Sequence, residues 1–143
     1  MSGYARRNKK VYSYCEPQEF YDFYNRTSLG SMMVKLDGEY YYLTDNGFRR
    51  IKSNDVVVFD KNKDYWQKED NFIISKDRFN NDYEPVKNIP DINGFIMEFS
   101  LYMKPDGMIR VFKKMLNECE NDYLNHQLQW IVDNQDVFLY ILS

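Results

Sequence analysis

At 143 residues and a formal net charge of −3, the chain fits one domain, or one domain with an added element, and is long enough to bury a core without disulfide or metal support. One histidine, His126, two distant cysteines, Cys15 and Cys119, and six glycines leave little room for the common catalytic constellations, which need a histidine, paired thiols or a glycine loop at set spacings. The mild acidity argues against a general nucleic-acid coat, and 13 Tyr and 10 Phe point instead to a folded, aromatic-rich binding surface.

Residues 1–14 read as a basic N-terminal arm, with Arg6, Arg7, Lys9 and Lys10 interleaved with Tyr4, Tyr12 and Tyr14. No apolar stretch follows Met1 to mark a secretory leader, and no window approaches the roughly 18 apolar residues of a membrane span. A helix is expected over Glu16–Thr27: Pro17 suits a first helical position, and Phe20, Phe23, Tyr24 and Thr27 recur at helical steps, with Gly30 as the stop. Strands Met32–Leu36 and Glu39–Leu43 flank Asp37-Gly38, a composition suited to a two-residue hairpin turn. Asn46-Gly47 turns into Phe48–Lys52, and Ser53-Asn54-Asp55 into a buried strand, Val56–Phe59. Beyond a polar loop at Lys61–Asp64, Tyr65–Gln67 and Phe72–Ile74 are short strands. Ser75 caps a helical turn through Phe79. Tyr83-Glu84-Pro85 closes the unit, and Lys87–Asn93 is a linker.

In the last fifty residues Phe95, Met97, Phe99, Leu101 and Met103 alternate as in a strand, and Lys104–Gly107 is a turn. Met108, Phe112, Met115, Leu116, Cys119 and Tyr123 then follow helical steps over 108–124. Leu128–Val132 and Val137–Leu142 flank Asp133–Asp136; their β-branched and aromatic content favours a hairpin, with a helix as the alternative. The expected class is therefore α+β: a small antiparallel β meander with an N-terminal helix, plus a C-terminal strand-helix-hairpin element. The expected division is an arm at 1–14, a domain at 15–87, and an extension at 92–143 packed on the same core.

Chemistry has few places to sit. Glu118, Asp122 and His126, at steps of four, share one face of a continuous helix, a weak metal-ligand pattern best read as a solvated face. Cys119 falls on the apolar stripe as a small core residue. Cys15 precedes a helix N-terminus, a place that can lower a thiol pKa, but no general base is placed beside it. No cofactor is implied, and neither is a small-molecule substrate. The charge is uneven: residues 1–54 carry nine Lys/Arg against six Asp/Glu, 55–91 six against nine, and 92–143 four against seven. Cationic contacts thus concentrate in the arm, with Arg49 and Arg50 as a second basic strip. The acids of residues 55–84 are interrupted by Lys61, Lys63, Lys68, Lys76 and Arg78, so solvated loops account for them better than mimicry of nucleic acid does. Tyr40, Tyr41 and Tyr42 must point to both faces of a strand, so an exposed ring such as Tyr41, together with Tyr65 and Trp66, is suited to protein recognition.

Residues 16–86 resemble small tailed-phage proteins of the PGDYG-like type. The matching text is Leu43-Thr44-Asp45-Asn46-Gly47, Ser53-Asn54-Asp55-Val56-Val57-Val58, Phe72–Phe79 and Tyr83-Glu84-Pro85-Val86. The resemblance implies phage origin and a small α+β fold, and carries no activity or site residues. The expected function is that of a phage-encoded accessory protein in the host cell cytoplasm. It would bind a host or phage protein stoichiometrically and perform no catalysis; inhibition of a host antiviral defence system is one form of this. The alternatives are a nucleic-acid-associated protein using the basic arm and a minor virion or assembly component. The partner surface is expected among Arg6, Arg7, Lys9, Lys10, Arg49, Arg50, Tyr41, Tyr65 and Trp66.

Overall fold

A computed structural model describes residues 2–24, 33–44, 47–62 and 72–143. These form two compact units, residues 1–86 and 87–143. The strand expected at Tyr65–Gln67, the stop at Gly30 and the second half of the loop at Lys61–Asp64 lie outside the described residues.

The first unit is built on a five-stranded antiparallel sheet. Its strands are β1 (Ser2–Arg7), β2 (Lys10–Cys15), β6 (Asp55–Phe59), β7 (Phe72–Ser75) and β8 (Glu84–Pro85), in the order β7-β6-β2-β1-β8. A second sheet has the order β3-β4-β5, with β3 at Met33–Leu36, β4 at Glu39–Thr44 and β5 at Gly47–Ile51. Helix α1 (Pro17–Tyr24) follows β2, and α2 (Lys76–Asp82) follows β7.

The arm expected at residues 1–14 is a correction: these residues are a regular hairpin near the middle of the main sheet. Arg7 pairs with Lys10, so Asn8 and Lys9 form the turn, at φ 51° and 63°. That is the twist a two-residue hairpin needs. Lys at the second turn position hid it, because Gly is the usual residue there. Left-handed backbone costs an L-residue on the order of 1 kcal/mol, so Lys9→Gly is expected to stabilise the unit by about that amount. A thermal or urea melt of the variant checks this, and a fall in stability would count against the turn geometry. At the β3–β4 turn, where Asp37 has φ 51° and Gly38 φ 80°, the sequence already supplies the favoured pair.

Strand β6 explains why the sheet is covered on both faces. Val56 and Val58 join Ala5, Ile74, Phe79 and Tyr83 on one side, while Val57 and Phe59 join Cys15, Phe20, Met33 and Ile51 on the other. A strand with period-two side chains and apolar residues throughout must bury both faces. Helix α1 seals the second cluster by setting Phe20 edge-on to Phe59, with ring centroids 5.3 Å apart, and Tyr21 against Tyr40 at 5.3 Å. Helix α2 starts as the sequence indicates: the Arg78 N–H donates to Ser75 Oγ at 3.2 Å.

The second unit is helical. Its elements are α3 (Asn93–Phe99), α4 (Pro105–Glu118), α5 (Asp122–Asp133) and α6 (Gln135–Leu142). The strand expected at 95–103 is instead α3 and a hydrogen-bonded turn. Ile92, Ile96 and Phe99 stand at helical steps and pack in the core, while Met97 faces out, so the alternation of sequence was not the alternation of burial. Lys104–Gly107, expected as a turn, opens α4 with Pro105 in its first turn. The single helix expected over 108–124 breaks at Cys119–Asn121, where the Asn121 side chain accepts from the Leu124 N–H at 3.0 Å. Leu124, Leu128 and Ile131 then repeat every three or four residues, and the helical alternative to the terminal hairpin is the one formed. This core cluster draws on residues 92–142, and the two sheet clusters on residues 5–83. The class is α+β, with the β meander and N-terminal helix in the first unit and four helices in place of the strand-helix-hairpin element.

Candidate partner-binding surfaces

The hairpin folds the N-terminal cations back on their own unit. Arg7 donates from Nη1 to the Tyr83 hydroxyl at 3.4 Å and lies 5.5 Å from that ring's centroid. The hydrogen bond to Tyr83 raises the Arg7 guanidinium above its ordinary pKa, while burial pushes the Tyr83 phenol up and Arg7 pulls it partly back. Lys10 pairs with the buried Asp60 at 3.5 Å and lies 5.0 Å from the centre of the Tyr12 ring. Asp60 also accepts from the Asn62 N–H at 3.0 Å. Arg6 is half-buried and Lys9 exposed. The four cations expected at a partner surface are therefore strand and turn residues, and Arg7 and Lys10 among them contact their own unit.

The second basic strip is on β5. Arg49 and Arg50 are exposed, and Arg50 pairs with Glu39 at 2.7 Å. Tyr41 lies opposite Arg50 in the ladder, and its hydroxyl donates to Glu39 at 3.3 Å. Tyr40 and Tyr42 pack on the core, so Tyr41 is the ring turned to the other face, as a strand requires. Beside this strip lies a cleft of about 300 Å³ whose lining includes Glu16, Glu39, Arg50 and Lys52. Its charges are mixed, and Arg50 is already committed to Glu39. Tyr65 and Trp66 lie outside the described residues.

The thiols and the histidine come apart in space and chemistry. Cys15 is buried, and its pKa is pushed up to about 12, first by burial and then by the nearby Glu19. Desolvation thus outweighs the helix N-terminus that follows it. Cys119 caps the C-terminus of α4 and is only half-buried, which corrects its expected place in the core. Both thiols are free. The break at 119–121 puts Glu118 on α4 and Asp122 and His126 on α5, so the shared helical face does not exist. Among the described residues no three His, Cys, Asp or Glu side chains are grouped to hold a metal ion.

The thiols carry a direct prediction. At mildly alkaline pH a disulfide reagent is expected to titrate Cys119 in the folded chain and Cys15 only after unfolding. The Cys15 thiol stays neutral in the fold to about 12 but ionises near its ordinary 9.0 when exposed, so the unfolded chain binds fewer protons between those values and stability falls as pH rises through that window. The half-buried Tyr14 and buried Tyr83 phenols, both raised by desolvation, add to the same slope. Denaturant melts from pH 8 to about 11 test this, and a Cys15→Ala chain is expected to show a shallower decline.

Sequence reasoning missed the most exposed apolar surface among the described residues. Met97, Leu101 and Tyr102 are 74, 76 and 80% exposed. Met97 stands on α3, and Leu101 and Tyr102 on the turn that closes it, where the Tyr102 and Met103 N–H groups both donate to the Phe99 carbonyl, at 3.1 and 3.0 Å. The signal was present as a dense apolar run, but strand alternation groups Met97 and Leu101 on one side with Phe99. Among the described residues no helix is long and apolar enough to cross a membrane. No family model, curated protein or solved structure matches the chain.

Proposed function

We propose that this α+β protein acts by stoichiometric binding to another protein, which it blocks or redirects through an exposed apolar surface, and that it performs no bond-making of its own. The observation that carries the reading is the cluster Met97, Leu101 and Tyr102, three large apolar side chains set in water within six residues. Grouped apolar exposure of this kind marks interaction surfaces, whereas scattered single residues need no explanation. The resemblance of residues 16–86 to PGDYG-like phage proteins supplies the setting: a phage accessory protein acting in an infected cell, with inhibition of a host antiviral defence system as one form of the effect. The nucleic-acid alternative relied on a free basic arm, and it draws no support from a hairpin in which Arg7 and Lys10 contact Tyr83 and Asp60.

The test is a tagged pull-down from infected cells, with nuclease treatment and mass spectrometry. One protein recovered in stoichiometric amount, and lost in a Leu101→Ser, Tyr102→Ala chain, is the expected result. Truncating two central contacts of an interface typically costs about 2 kcal/mol or more, roughly thirtyfold in affinity. Recovery of nucleic acid alone, or turnover of a small substrate by the pure chain, would overturn the reading.

A further inference from the structure

The exposed turn runs into an open groove of about 540 Å³ at the start of α4, lined by Met103, Lys104, Asp106, Gly107, Arg110 and Val111. Gly107 forms part of this lining. Its backbone is ordinary helix, and a Cβ there would meet nothing nearer than the Met103 Cβ at 4.0 Å. Glycine is thus not demanded by backbone geometry or by crowding, and it is a poor helix former. What it does is leave the groove open beside Met103.

Charge decides what kind of partner fits. All four cations of residues 92–143, namely Lys104, Arg110, Lys113 and Lys114, fall within eleven residues of chain, while five of the seven acids lie at 118–136. Arg110, Lys113 and Lys114 stand at i, i+3 and i+4 on α4, on the face away from the buried Met108, Ile109 and Phe112. None of the four forms an ion pair with another described residue. A net-acidic unit therefore presents a cationic stripe and an apolar turn side by side.

We propose that this surface receives an acidic, amphipathic segment of another protein, with an apolar side chain entering the groove beside Gly107 and carboxylates meeting Arg110, Lys113 and Lys114. The inference rests on the protein-binding reading above and names the chemistry of the partner. A nucleic-acid strand fits less well: the groove itself is lined by Met103, Gly107 and Val111 with no ring, and Tyr102 on the turn is a single stacking platform where a strand of bases needs several. A second copy also fits less well: its acidic helices α5 and α6 turn Leu128, Ile131, Val137 and Phe138 into their own core.

The experiment uses the full chain and a fluorescent synthetic peptide of about 16 residues, with Leu or Phe at i, i+3 and i+7 and Asp or Glu between them. Two control peptides replace the acids by Lys or the apolar residues by Ser. Binding of the acidic amphipathic peptide, weakened at least about tenfold in either control and in an Arg110→Glu, Lys114→Glu chain, and reduced by salt, is expected. A Gly107→Leu chain, filling the groove with a good helix former, is expected to lose binding by a similar factor while keeping its helix signal. The inference fails if the acidic peptide does not bind, if the Lys peptide binds as well, or if these variants leave binding intact. Tighter binding of a single-stranded oligonucleotide, or self-association abolished by the same substitutions, likewise overturns it. If the pull-down partner is retained by the Arg110→Glu, Lys114→Glu and Gly107→Leu chains but lost in the Leu101→Ser, Tyr102→Ala chain, the acidic-segment inference fails while the protein-binding reading stands.

Discussion

Phe112→Ala is expected to destabilise the helical unit by about 3–5 kcal/mol and to leave the sheet unit folded. Phe112 is fully buried and joins three helices: Phe99 of α3 meets it edge-on at 5.2 Å and Phe138 of α6 at 5.9 Å. Removing the ring deletes both aromatic contacts and leaves a cavity that the surrounding side chains fill only in part. A unit of residues 87–143 has a stability on the order of 3–9 kcal/mol by size alone, so the loss takes most of it. Hydrogen exchange read peptide by peptide is the measurement. Protection across 93–142 is expected to collapse, while that of β1, β2 and β6 persists, because among the described residues no core residue is shared between the helical cluster and the sheet clusters. Equal loss of protection in both units would show that the two cores are not separate. Tyr123→Ala, at a side chain 66% exposed, serves as the control and is expected to change stability by less than about 0.5 kcal/mol.

The same cores explain which elements could be read from sequence. Local chemistry sufficed where one residue type has one physical use: Asp37-Gly38 for left-handed backbone, Pro17 at a helix start, Ser75 as a cap, and the continuous apolar run of β6. It did not suffice where two periods agree. Phe95–Met103 alternates as a strand should, yet Ile92, Ile96 and Phe99 also satisfy a helix, and tertiary packing chose the second. At residues 2–15 the polar surface of a hairpin has the same sequence signature as a solvated arm. The partners that order it, Tyr83, Asp60 and β6, lie more than forty residues further on. The candidate site suffered for the same reason. The outward ring of Tyr41 is legible because a strand turns successive residues to opposite faces, and Arg49 and Arg50 are legible as adjacent charges, whereas Met97, Leu101 and Tyr102 are hidden by the wrong period and Gly107 by an expected turn.

Phe79→Ala is expected to cost the sheet unit about 3–5 kcal/mol, and it tests whether the N-terminal hairpin is ordered by the residues that follow β7. Phe79 is 2% exposed and lies between two rings, Tyr14 of β2 at 4.8 Å and Tyr83 at 5.3 Å, the latter stacked. Tyr83 in turn meets Tyr12 edge-on at 5.7 Å and holds Arg7 over its face. One side chain on α2 thus props a ladder of three tyrosines whose far members belong to the first fifteen residues. Truncating it removes apolar burial and admits water to Tyr83, so the Tyr83 phenol is expected to titrate closer to an ordinary tyrosine than in the parent chain, a change that ultraviolet titration reads directly. Phe79→Leu keeps most of the volume and is expected to lose less than about 1.5 kcal/mol. Arg7→Ala removes a long hydrogen bond and a cation–ring contact at a half-exposed site and is expected to cost about 1 kcal/mol. A Phe79→Ala chain that melts like the parent, or that unfolds without altering Tyr83, would show that the hairpin is held by its ladder with β6 alone.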